Sequence, residues 1–534
     1  MAVIDEFLKD IFKFLKAENS AELANYLRVE PDGLPDAFQQ LCQELKDLYH
    51  NDKAIERKVS THIPEDHDHE AVSASFQFFI QIWLQYWRDV DFTNLVTTHA
   101  QLFSLTNACV QAFSHPKGLS CLQTAIRICD ALARLAMQLD QRRDLTVNIR
   151  TNTSEDSRKS LVEATAEIIQ KAFTTCLNAR TSTTSGVKDG KPEGKKSGIY
   201  SFANLVLKLF FQSRTTRSAS QLFTNISQNS PPLRLYPERQ RVTFLYYLGR
   251  FHFSNNHFYF AQACLQGAYD QCHSQFLSQK RMILIYLISA NMILGRFPSQ
   301  ILMMMPEATG LAEKFDPILN AIRKGDLMAF KHALGPEHGN EQWFFYRGLL
   351  LALQSRCEVL VWRSLARRVF LLTYNIPWDP SDKFPALNYN HVVAAAQYCQ
   401  KRLEGWERPR DNELFVASTD LAPPPHGKKK LKPQGGVIYC NKIPEVIDIE
   451  PILASLCQQK LLRGWLNHEA QNFRINGSRR AGGPLNAGFP PVWQVIKTRV
   501  EGNENMKEIP GWVQKEPQKR GGVIMMSNVK GIGE

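Results

Sequence analysis

Apolar residues return every three or four positions from the start of this chain to about residue 400, the spacing that lines them along one stripe of an α-helix. The opening MAVIDEFLKDIFKFLK follows it, as do FQFFIQIWLQYW (Phe76–Trp87) and SCLQTAIRICDALARLAMQL (Ser120–Leu139), the last two too long for ordinary strands. The pattern lapses in Arg180–Gly198 (RTSTTSGVKDGKPEGKKSG), in Glu404–Gly436 with its APPPHGKKKLKPQGG, and beyond about Gly502. These stretches have too little apolar surface to offset the entropy of ordering, so two mobile loops and a mobile tail are expected.

Leu245, Leu248, Gly249, His252, Ala261, Leu265 and Ala268 match a tetratricopeptide-like helical hairpin, a repeat of roughly 34 residues. Gly249 and Ala261 are small where the paired helices must approach, and Ala268 lets a following repeat pack. Gln279–Leu294 is predicted as the next helix, with Gly295 as its cap and Pro298 beyond. In FDPILNAIRKGDLMAFKHALG, Gly325 closes one short helix and Asp326 caps another. Hairpins of this kind stack into a solenoid because none buries its apolar side alone.

A long helix is expected over Gln342–Tyr374 and another over Asn390–Leu403. After the second loop comes VIDIEPILASLCQQKLLRGWLNHEAQNFRIN, where Pro451 is placed in a first helical turn and Ile452, Leu453, Leu456 and Leu461 on one apolar face. Phe473 and Ile475 alternate with Arg474 as in a ribbon with one buried side. Three helices and a hairpin in that order make a winged helix. The expected fold is therefore mainly α: a TPR-like helical-repeat solenoid followed by a C-terminal winged helix. The parts are a helical region (1–179), a flexible linker (180–198), TPR-like repeats (199–340), a winged-helix part (341–500) with an insertion at 404–436, and a tail (501–534).

Charge points to acidic partners. The 534 residues carry a formal net charge of +12, but its location matters more than its total. Residues 451–500 hold seven Lys or Arg (Lys460, Arg463, Arg474, Arg479, Arg480, Lys497, Arg499) against a single acid, Glu469. Eleven cysteines, an odd number without CxxC spacing, read as reduced thiols inside a cell. Acids ahead of the first apolar residues are wrong for a secretory signal, and the longest apolar run, Met282–Leu294, is shorter than the roughly 20 residues that span a bilayer. No membrane association is expected.

Lys460, Arg463, Arg474, Arg479 and Arg480 are the candidate nucleic-acid-binding residues, a strip that attracts phosphates without reading bases; the competing reading is a solvated basic face. Lys428, Lys429, Lys430 and Lys432 form a second run, open between an import signal and a solubilising loop. His252 and His257 read as packing residues rather than ligands or bases, and the aromatic Phe76–Trp87 stretch as core. There is no HExxH motif or Walker-type phosphate loop, so no catalytic residue, metal site or cofactor is assigned.

Helical hairpins, the FDPILNAIRKGDLMAF stretch and a winged helix closing on RGWLNHE resemble a PCI protein, the type found in the proteasome lid, the COP-9 signalosome and translation initiation factor three. IDIEPILASLCQQKLLRGWLNHE and GFPPVW (Gly488–Trp493) are similar to the branch containing signalosome subunit twelve (CSN12-like) and the PCI subunit of the TREX-2 messenger-RNA export complex. The resemblance covers roughly Asn204–Trp493. It implies a non-enzymatic nuclear scaffold, with the cytoplasm also open, that binds a Sem1/Dss1-like small acidic protein, a large Sac3/GANP-like subunit, and RNA or DNA. By position it implies a third winged-helix helix at Pro451–Leu462 and a wing at Arg463–Ile475. The alternative is a scaffold of the signalosome or proteasome lid that binds protein only. Because signalosomes contain a zinc isopeptidase, HIPEDHDHE (His62–Glu70) needs testing against its motif. That motif needs a serine and an aspartate where Gln77 and Ile80 stand, so the segment is read as an exposed acidic linker.

Overall fold

Ile4, Phe7, Leu8, Ile11 and Leu15 are all buried along one face of the first helix, α1 (Val3–Lys16), as the opening pattern predicts. This computed structural model describes residues 3–502 except 32, 34, 65–73, 143–159, 184–185, 336–338, 376–383 and 408–420. The chain forms two units, one up to Tyr247 and one from Leu248.

In the first unit α1 is followed by α2 (Ser20–Tyr26), α3 (Asp36–Leu48), α4 (Asp52–His62), α5 (Ala74–Asp89), α6 (Leu95–Ser114) and α7 (Leu122–Gln141). Then come α8 (Leu161–Leu177), α9 (Ile199–Gln212), α10 (Ala219–Asn229) and the start of α11 (Glu238–Ser254). The aromatic wealth of α5 is core: Trp83 stacks on Phe7 at 5.1 Å and meets Phe38 edge to face. Trp83 and Trp87 both donate their indole N–H to the Arg28 carbonyl, and the Tyr86 hydroxyl donates to that of Val29. All three polar tips are thereby satisfied away from water.

Arg180–Gly198 differs from the mobile linker expected. It contains a short antiparallel pair, β1 (Val187–Lys188) and β2 (Lys191–Pro192), and a 3-10 turn, Gly194–Gly198. The reason is Lys195, whose buried ammonium donates to the carbonyls of Phe113 and His115, each at 2.6 Å. A charged residue that reads as solubilising is here used to satisfy the carbonyl end of α6. The boundary between units accordingly falls within α11 and not at this segment.

The second unit continues with α12 (Phe258–Gln271), α13 (Leu277–Ile293), α14 (Gln300–Met303), α15 (Ala312–Lys324), α16 (Leu327–Ala333), α17 (Asn340–Tyr346) and α18 (Leu350–Thr373). A Cβ on Gly249 would lie 2.6 Å from Leu265 Cγ, so glycine is what allows α11 and α12 to close as a hairpin. Gly325 caps α15 in the left-handed conformation (φ +69°), and the Asp326 carboxylate accepts from the Ala329 N–H to begin α16. The helix expected over Gln342–Tyr374 is instead two, α17 and α18, broken at Gly348 (φ +68°) and secured where the Tyr286 hydroxyl donates to the Arg347 carbonyl.

The unit ends with β3 (Ala386–Asn388), α19 (Tyr389–Leu403), α20 (Val446–Gln458), β4 (Gly464–Asn467), β5 (Asn472–Ile475), α21 (Pro484–Gly488) and α22 (Val492–Glu501). The described parts of the 404–436 insertion lie against α19 rather than free of it. Glu404 is 2% exposed, and its carboxylate accepts from Gln400 and Asn441. Gln400 in turn accepts from the Val437 N–H, while Leu421 and Val437 are buried. The polar composition that predicted mobility includes partners for a buried network, which composition cannot reveal. Residues 408–420 and the tail from 503 lie outside the described residues.

His252 is 8% exposed, and neither ring nitrogen has a hydrogen-bond partner. Burial, with His257 nearby, pushes its pKa down to about 4; burial does the same to His99 in the first unit. Between roughly pH 6.5 and 4 the unfolded chain therefore binds more protons than the folded one, and stability falls as pH falls through that window. Urea midpoints at pH 7 and pH 5 should show a loss on the order of 1–2 kcal/mol for each such histidine. His252→Leu should flatten the second unit's share of that loss.

Candidate nucleic-acid interface

The winged-helix part is set by α20 and the three strands. Glu445 and Asp448 form a reciprocal capping box, so α20 starts at Val446 and ends at Gln458, both earlier than the expected Pro451–Leu462. Pro451 thus lies inside the helix, not in its first turn; the carbonyl it leaves without an N–H belongs to Ile447, an exposed residue accessible to water. Ile449, Leu453 and Leu456 supply the buried face.

The hairpin at Arg463–Ile475 forms as β4 and β5, and gains a strand that the sequence pattern does not show: β3 pairs antiparallel with β5, giving the order β3–β5–β4. Leu387, Phe473 and Leu466 stand side by side on the inner face, next to Ile475. The strand period then assigns the other face. One row across it is Ala386, Arg474 and Trp465; the next is Asn388, Asn472 and Asn467.

Of the five predicted cations, Arg474 is half-buried on this outward face at the centre of the sheet, and its Nε is buried without a hydrogen-bond partner. Arg463 is exposed immediately before β4, and Arg479 and Arg480 are exposed in the turns that follow β5. Because Gly464 pairs with Ile475, these three occupy the same open end of the hairpin. Lys460, exposed and left-handed at φ +60°, lies three residues before Arg463 in the turn after α20. None of the five forms an ion pair with a described residue. The closed end of the hairpin is different: it holds Glu469 and His468, the latter bonded to Glu450 at 2.8 Å. The positive charge thus belongs to the base and outer face of the wing, not its tip. Trp465, Phe384 and Asn472 were missed by the motif reading; the two-residue alternation with Arg474 was the available signal for Asn472, whereas Trp465 is brought opposite Arg474 only by strand pairing.

Among the contacts that hold this module on the rest of its unit are those of Arg363 and of the GFPPVW segment. The Arg363 guanidinium, on α18, donates to the carbonyls of Pro490 at 2.6 Å, Phe489 at 3.1 Å and Leu461 at 3.3 Å. Burial lowers its pKa to about 10, yet it stays charged at neutral pH. GFPPVW then returns to the helical repeat, where Val492 packs on Gly295 and Trp493 stacks on Tyr259 at 5.6 Å with Arg296 over its ring. Arg363→Met keeps the stem but removes the forked donor, and should lower stability by about 2–3 kcal/mol, read as an earlier urea transition; Arg363→Lys should fall between the two.

No group of three or more His, Cys, Asp or Glu among the described residues is placed to hold a metal ion, and none of their helices is long and apolar enough to cross a membrane. His62 ends α4, while residues 65–70 of the HIPEDHDHE segment lie outside the described residues. All eleven cysteines are free.

Fold and site define a helical-repeat protein that ends in a winged helix with a basic base. No family model matches the chain. Over 304 residues it is 29% identical to a PCI domain-containing protein of Schizosaccharomyces pombe, covering 55% of this chain and 63% of that one. It is 26% identical to a CSN12 homolog of Neurospora crassa (59% and 60% covered) and 29% identical to PCI domain-containing protein 2 of Xenopus laevis (40% and 49%). These similarities support a PCI-domain protein of the CSN12-like and PCI domain-containing protein 2-like kind. It spans about half to three fifths of the length of these relatives.

Proposed function

We propose that this chain is a non-enzymatic scaffold subunit of a TREX-2-like nuclear complex that couples transcription to messenger-RNA processing and export. It holds a Sem1/Dss1-like acidic protein and a Sac3/GANP-like subunit, and contacts RNA or DNA through Lys460, Arg463, Arg474, Arg479 and Arg480. The observation that carries the nucleic-acid part is the polarity of the wing. Five cations without acidic partners among the described residues gather at its base and outer face, and the acids keep to the closed end. Phosphates bound there release counterions, so affinity falls steeply with salt and depends little on sequence.

A second reading, a signalosome or proteasome-lid subunit that binds protein only, is favoured by exposed Phe345, Tyr346 and Leu351 around the α17–α18 break and by the CSN12 name of one relative. Affinity purification of the tagged chain, with and without nuclease, separates the two. Partners retained with no nucleic acid recovered favour the second reading. Arg474→Glu, Arg479→Glu and Arg480→Glu combined should abolish salt-sensitive binding of oligonucleotides by the purified chain in anisotropy titrations. Unchanged binding at low salt would remove the nucleic-acid part.

A further inference from the structure

We infer that the outward face of the β3–β5–β4 sheet is a stacking platform for single-stranded nucleic acid, with Trp465 receiving a base and Arg474 the neighbouring phosphate; this rests on the nucleic-acid reading above. Charge alone does not require the arrangement found. Trp465 is 39% exposed on a face directly across from Arg474, although an indole of this size ordinarily goes to the core. Phe384 touches it at 4.9 Å with the ring planes crossing at 75°, which holds the indole at an angle instead of stacking flat over it. On the other side of Arg474 the sheet carries only the methyl group of Ala386.

A second observation is independent of the ring. Asn472 Oδ1 and Arg474 Nε, two positions apart on the same strand and face, are both buried without a hydrogen-bond partner. One accepts and the other donates. Leaving both unmade is costly, and because both atoms are enclosed, the edge of a base or a sugar-phosphate group supplies the complement of each only as the side chains around them shift on binding. A duplex hides its base faces in its own stack, whereas a single strand can splay a base onto an aromatic side chain. Cation, ring and unpaired amide on one sheet face therefore select for unpaired strands, without a fixed sequence.

Anisotropy titrations of the full chain test this with three labelled probes of equal length: an oligouridylate, its duplex with oligoadenylate, and an abasic strand carrying the same phosphates. Wild type should prefer oligouridylate over the other two. Trp465→Ala should weaken oligouridylate binding by about tenfold, leave the abasic strand unaffected and keep the slope of affinity against salt, while Trp465→Phe should retain most of the affinity. Thermal unfolding checks the fold of each variant, and Trp465→Leu, which keeps apolar volume without a ring, replaces the alanine variant if that unfolds. Equal binding of oligouridylate and abasic strand by wild type, or undiminished oligouridylate binding by the folded ring-less variant, overturns the stacking inference while leaving the charge reading intact. Absence of salt-dependent binding to any probe removes the charge reading, and this one with it.

Discussion

The inner row Leu387, Phe473 and Leu466, with Ile475 beside it, is the constraint on which the winged-helix surface depends. Burial of these side chains sets the register of three strands at once, because side chains alternate with a period of two. A slip of one residue in β5 would turn Phe473 outward and Arg474 and Asn472 into the apolar interior, at the cost of an unpaired buried charge. Hydrophobic burial on one side thus decides which polar groups appear on the other. Gly464 contributes by having no Cβ, which would stand 2.1 Å from the Arg474 carbonyl.

A sheet this small cannot hold its position alone. Its support comes from α18, where Arg363 gathers the carbonyls of Leu461, Phe489 and Pro490, three groups left over at the ends of their elements. One planar cation with several fixed donors can satisfy such scattered acceptors, as a lysine cannot. From Pro490 the chain goes directly to Val492 and Trp493, which close on Gly295 and Tyr259. The same segment that finishes the wing therefore ties it to the helical repeat.

Two polar segments show how a charge count can mislead. Lys195 lies in a stretch rich in Lys, Gly and Ser, yet its ammonium is buried on two carbonyls. Glu404 opens a basic, proline-rich insertion, yet it is buried and organises Gln400 and Asn441 around it. In both cases a charge is tolerated inside because hydrogen bonds replace its water.

The sequence by itself determined most of the helices, the hairpin at Gly249, the caps at Gly325 and Asp326 and the alternation in Phe473–Ile475. Each depends on neighbours within a few residues or on a period that the chain spells out. It also identified the five cations, since their density needs no geometry. Tertiary structure alone decided that a third strand some 80 residues upstream joins the wing, and that the cations lie at its base while Trp465 faces outward beside Arg474. Those outcomes follow from pairing between segments distant in the chain, whose energy resides in contacts that no local pattern records.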